Sequence, residues 1–128
     1  MNQQSPIQQS PAQQVGTAAE LAVAADLCQR GLKLLAHQFR VPNLGEIDLI
    51  MASPSHLYFI EVKARTDQAA YGGGAAAISL AKQKRLRKTA LYYLQKHNLM
   101  NNDTRFLAAL VTLSNQQPTS PIAYVPIE

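Results

Sequence analysis

Cysteine occurs once in the 128-residue chain, at Cys28, which excludes an internal disulfide and any multi-cysteine zinc site. Acidic residues are also few: eight stand against twelve lysines and arginines, for a net charge of +4. A mild basic excess suits a polyanionic partner, and it suits simple solubility equally well. No apolar run is long enough to span a membrane, so no membrane partner is expected. No charged stretch followed by an apolar one marks a signal peptide at the amino terminus, and a cytoplasmic protein is the default expectation. There is no Gly-Lys-Ser/Thr loop, which excludes a nucleotide P-loop, and no internal repeat is visible. Apolar residues, by contrast, make up 47% of the chain, enough for the core of one domain.

Residues 1–14, "MNQQSPIQQSPAQQ", are Gln, Ser and Pro with little to bury and read as a disordered tail. One domain over 15–128 is expected to follow. A first helix should begin near Val15 or Gly16 and bury Ala18, Leu21, Ala22, Ala25, Cys28 and Leu32, with Gly31 as its stop. Cys28 then reads as a small core residue. "LKLLAHQFRV" reads as a strand ending at Pro42. Two further strands, near 45–52 and 57–65, are joined by "SPSH". "TDQAAYGGGAAA" reads as a flexible loop. A second helix over 78–97 should bury Leu86, Ala90, Tyr93, Leu94 and His97. "RFLAALVTL" reads as a buried strand and "IAYVPI" as an edge segment, because its proline is unsuited to a central strand. The order α-β-β-β-α-β predicts an α/β sandwich on a mixed central sheet.

Charges interrupt the two most apolar strands: Glu46 and Asp48 in "GEIDLI", Glu61 and Lys63 in "FIEVKAR". A buried charge costs several kcal/mol unless something pairs with it. If the hairpin turns between Pro54 and Ser55, Asp48 lies across from Glu61. Two facing carboxylates repel, and a divalent cation between them would reverse the sign. Magnesium takes one or two carboxylates together with waters and phosphate oxygens. Lys63 points the same way as Glu61 and could hold a phosphate or help to activate water. An exposed sheet face carrying ordinary charges is the competing reading, and a register slip of one residue would separate the groups. Glu46 is either a supporting group or a solvated strand start. Glu20, at the border of the first helix, is either a further acid reaching the hairpin or a surface charge.

"GEIDLI" followed by "FIEVKAR" resembles the PD-(D/E)XK nuclease superfamily, with its restriction-endonuclease-like fold. More narrowly, residues 15–113 resemble the YraN-type bacterial family, similar to Holliday-junction resolvases, in "GTAAELAVAADLCQRGLKLLAHQFR", the hairpin, the glycine loop and "KQKRLRKTALYYL". The resemblance implies a metal-dependent endonuclease acting on DNA, including branched or repair intermediates. It makes Asp48 and Glu61 ligands of Mg2+ or Mn2+, Lys63 the catalytic lysine, and Glu20 the helical acid carried by several resolvase-like proteins. Gln83 matches a polar helix position near the site in some members, and a plain helix-flank glutamine is the other reading. Resolvases act as dimers, so a homodimer is implied, although no residue here identifies an interface. The chain departs from the pattern twice. Leu107 follows Arg105 and Phe106 where members often carry an acid, and Ile47 replaces the proline before Asp48. A non-catalytic nucleic-acid-binding module and a scaffold protein are the alternatives the fold allows.

"KQKRLRK", residues 82–88, holds five bases in seven residues. Lys84, Arg85 and Lys88 fall opposite the apolar stripe and Arg87 flanks it. This is a phosphate-tracking face if DNA binds, and otherwise a solvated helix surface. "YGGG", Tyr71–Gly74, could let backbone approach DNA or close over substrate. His37, His56 and His97 show no ligand spacing and read as structural or exposed.

Overall fold

The computed structural model describes residues 9–66 and 78–128. Helix α1 covers Pro11–Gln29. Its start is set by a capping box: the Ser10 hydroxyl accepts from the Gln13 amide, and the Gln13 side chain accepts from the Ser10 amide. Pro11 sits where its missing N–H costs nothing. The helix therefore begins four residues before the expected Val15, and residues 11–14 of the expected tail are helical. At the other end Gly31 takes φ +94°, and the Leu32 and Gly31 amides donate to the Leu27 and Cys28 carbonyls. That pair of bonds closes a Schellman motif, so Gly31 stops the helix as its sequence suggests.

The buried face of α1 differs from the expected one. Ala19, Glu20, Val23 and Leu27 face inward, while Leu21 is 58% exposed and Cys28 is exposed. Apolar residues nearly encircle this alanine-rich helix, so its periodicity does not choose a phase. The larger Val23 and Leu27 fill the core, and the partners of Glu20 on the sheet hold the rotation.

Strands β1 (Lys33–Val41), β2 (Gly45–Ala52) and β3 (His56–Thr66) form an antiparallel meander. Helix α2 (Leu80–Lys96) then returns the chain so that β4 (Asp103–Ser114) pairs parallel with β3. β5 (Gln117–Pro118), which the sequence did not suggest, and β6 (Ala123–Pro126) both pair antiparallel with β4. Among the described residues the result is a mixed α/β sheet of six strands, mostly antiparallel, in keeping with the restriction-endonuclease-like arrangement. Among the described strands β6 pairs with β4 alone, as suits a strand that ends in Pro126.

Among the described residues, each face of the sheet carries one helix. Ala19, Val23 and Leu27 of α1 pack on Leu49, Met51, Ile60, Ala109, Val111 and Leu113. On the other face Leu86, Ala90, Tyr93 and Leu94 of α2 pack on Ile47, Ile50, Leu57 and Phe59. His97 is exposed rather than buried, because α2 has ended and His97 serves as its C-cap. Among the described residues no helix is long and apolar enough to cross a membrane. The glycine loop falls within 67–77, outside the described residues.

Candidate metal and nucleic-acid site

The β2–β3 hairpin has the register that a turn at Pro54–Ser55 requires. Its ladder runs Ala52↔Leu57, Met51↔Tyr58, Ile50↔Phe59 and Leu49↔Ile60. Asp48 and Glu61 are the next residues on each strand, and there the ladder ends. In place of a backbone bond, the Asp48 carboxylate accepts from the Val62 amide at 2.8 Å. The two acids stand where the strands part, which leaves room between their side chains.

That room is a cleft of about 230 Å³ lined by Gly45, Glu46, Asp48, Glu61, Lys82, Arg85 and Leu86. Glu61 is buried, Asp48 is half-buried, and Glu46 is exposed at the edge. Burial first, then the Glu61 carboxylate, push the Asp48 carboxyl up from its ordinary 3.8 to about 7. Glu20 adds to the rise; the Val62 hydrogen bond and the Lys82 charge oppose it.

Helix α2 closes the cleft. A Cβ at Gly45 would meet the Thr89 hydroxyl at 2.6 Å, so the missing side chain is what lets α2 lie so close to β2. Thr89 is fully buried and donates to the Arg85 carbonyl at 2.7 Å. The Gly45–Thr89 approach brings α2 down onto β2 at the hairpin. Lys82 then reaches Glu61, with Nζ 2.5 Å from Oε1.

The remaining expected residues fall in different places. Glu20 is buried on the α1 side and does not line the cleft; His37 Nε2 lies 2.7 Å from its Oε1, and the Gln38 amide donates to the same oxygen at 3.1 Å. Lys63 is half-buried on β3, in register with Leu110 of β4, and it too lies off the cleft lining. Gln83 is turned to the backbone, its side-chain amide donating to the Ile78 carbonyl at 2.9 Å. Lys84, Arg85 and Lys88 are exposed, and Arg85 also lines the cleft. Arg87 places its guanidinium 4.7 Å from the centre of the Phe106 ring.

Two contributors carry no mark of their role in the sequence. Lys82 was one base in a run of five, and its role comes from standing in the first turn of α2. His37 belongs to a strand whose alternation breaks at Gln38, where φ is +53°, so adjacent residues both reach Glu20. Among the described residues, no three His, Cys, Asp or Glu side chains group to hold a metal by themselves. Asp48 and Glu61 offer two carboxylates, with Glu46 a third, exposed acid at the cleft's edge; the pair is a donor set for a cation that keeps waters or phosphate oxygens.

The sequence profile of the uncharacterised protein family UPF0102 matches residues 19–111, and the chain belongs to that family. Similar proteins include a UPF0102 protein of Alkalilimnicola ehrlichii, 38% identical over 92% of this chain and 91% of the relative. One from Moorella thermoacetica is 34% identical over 86% and 90%. One from Coxiella burnetii is 40% identical over 81% and 86%.

Proposed function

We propose that the protein is a metal-dependent endonuclease of the PD-(D/E)XK type, acting on DNA that includes branched or repair intermediates. The observation that carries this reading is the pair Asp48–Glu61 at the parting of two strands, in a cleft whose other charged side chains include Lys82 and Arg85. Two acids placed together against their own electrostatics are a cost to the fold, and such costs cluster at functional sites.

The donor set fits Mg2+ or Mn2+: two carboxylates, no thiolate, and open space for water and phosphate oxygens. Asp48 and Glu61 would hold the ion, which supplies Lewis acidity and a more acidic bound water. The protein does the rest. The Val62 amide fixes the Asp48 carboxylate and favours its ionised form. Arg85 adds positive charge at the cleft, where a backbone phosphate would arrive. Lys63, two residues beyond Glu61, supplies charge along β3 toward the scissile phosphate or the attacking water. Lys84 and Lys88 continue the basic surface of α2 along a DNA backbone. A homodimer would let two strands be cut together.

A second reading, a DNA-binding module without catalysis, is favoured by one observation. Glu61 already has a cation, the Lys82 ammonium. The deciding experiment is a cleavage screen over linear, flapped and four-way DNA with Mg2+ and with Mn2+. Metal-dependent cuts in any of them support the nuclease. Binding without cuts on every structure supports the module.

A further inference from the structure

We infer that Lys82 is a tethered counter-ion of the acidic cleft: it occupies Glu61 when no divalent cation is present and is displaced when one arrives. The inference rests on the metal-site reading above and adds a residue to it.

The argument starts from Glu61. Its side chain is buried on β3 and lies next to a second acid, Asp48. A buried carboxylate with only another carboxylate for company would destabilise the fold strongly. Lys82 relieves this from a different element, with its Nζ 2.5 Å from Glu61 Oε1, and its charge also acts on Asp48. Lys82 thus offsets part of the cleft's negative charge without metal, and Asp48 still bears the rest. The same oxygen cannot give its full charge to both an ammonium and a divalent ion.

Lys82 has the means to leave. Its side chain is 43% exposed, against 8% for Glu61, so the lysine end of the pair reaches water and the acid end does not. Its stem rises from the first turn of α2, three residues after Ser79, whose hydroxyl accepts from the Lys82 amide at 3.1 Å. The backbone is therefore anchored while the four-carbon side chain is free to swing. A released ammonium beside Arg85 adds to the positive edge of the cleft, facing the phosphate that a bound ion would share. Arg85 lines the same cleft without an ion pair of its own among the described residues.

The test is calorimetric titration of Mn2+ into the full chain: wild type, Lys82→Met, Lys82→Arg and Asp48→Asn. Lys82→Met should bind Mn2+ about tenfold more tightly, a competition intermediate between exposed and buried ion pairs. Lys82→Arg, which keeps the charge, should stay within about threefold of wild type. Equal affinity in wild type and Lys82→Met, with Asp48→Asn abolishing binding, would overturn the counter-ion role and leave the metal site standing. Failure of wild type and Lys82→Met alike to bind would overturn the metal site, and the counter-ion with it. If Lys82→Met is unfolded without metal, circular dichroism in millimolar Mn2+ reads the same competition. Refolding supports the exchange, and persistent unfolding overturns it.

Discussion

The Oδ2 atom of Asp48 lies 2.8 Å from the Val62 amide nitrogen, so a side chain of β2 takes the backbone donor of β3 one residue after Glu61. This bond does two things. It satisfies an amide at the point where the hairpin ladder ends, and it holds one acid close to another. The site is therefore part of the sheet's own hydrogen bonding, and its electrostatic cost is shared by the fold.

That cost should be visible in metal-free protein. The Asp48 carboxyl is raised to about 7 in the folded state, above its ordinary 3.8. The folded chain therefore holds this proton more tightly than the unfolded chain does. Between pH 4 and 7 the unfolded state loses the proton first, so stability falls as pH rises, by at most about 1.4 kcal/mol per unit. Above pH 7 both states are ionised and the loss is complete. Asp48→Asn can keep the bond from Val62 and carries no charge. Thermal melts in EDTA should show it more stable than wild type at pH 8 and nearly equal at pH 4.

The approach of α2 to β2 yields a second expectation. Gly45→Ala would press a methyl group onto the buried Thr89 hydroxyl. Displacing α2 costs about 1–3 kcal/mol, measurable by urea denaturation. The displacement also moves Lys82 and Arg85, so cleavage should fall further than the loss of folded protein explains. Gly45→Ala with wild-type stability would show that the helix yields freely at this contact.

On the basic helix, Lys84, Arg85 and Lys88 are exposed, whereas Arg87 is engaged with Phe106. Each alanine replacement at a phosphate-contacting residue should lower the log–log salt slope of DNA binding by about 1. The triple variant at 84, 85 and 88 should therefore show a visibly shallower slope in fluorescence anisotropy. Arg87→Ala should leave the slope almost unchanged and cost about 0.5–1 kcal/mol of stability through the lost cation–π contact.

Much of the hairpin was legible in the sequence because strand alternation and a short polar turn leave few registers. The turn at Pro54–Ser55 aligns Leu49 with Ile60, as observed, and brings Asp48 and Glu61 to the same end. The phase of α1 was not legible. Ala18, Leu21, Ala22 and Ala25 compete with Ala19, Val23 and Leu27 for the inward face, and hydrophobicity alone separates them poorly. What decides is Glu20, drawn inward by His37 and Gln38, which are 17 and 18 residues away in the chain. Lys82 was hidden for a related reason: a run of five bases gives no sign of which one turns back into the protein.

In the proposed function, Asp48 and Glu61 organise hydrolysis of a DNA phosphodiester, and Lys63 acts on the reacting phosphate or water. The most direct test is single-turnover cleavage of the best DNA structure in Mg2+ or Mn2+, with equilibrium binding measured in parallel, for wild type, Asp48→Asn and Lys63→Ala. Expected are cleavage by wild type, none by Asp48→Asn, and a loss of roughly 100-fold to 10,000-fold in Lys63→Ala with DNA affinity largely kept. Cleavage undiminished in Asp48→Asn, or absent from wild type with both metals while DNA still binds, would contradict it.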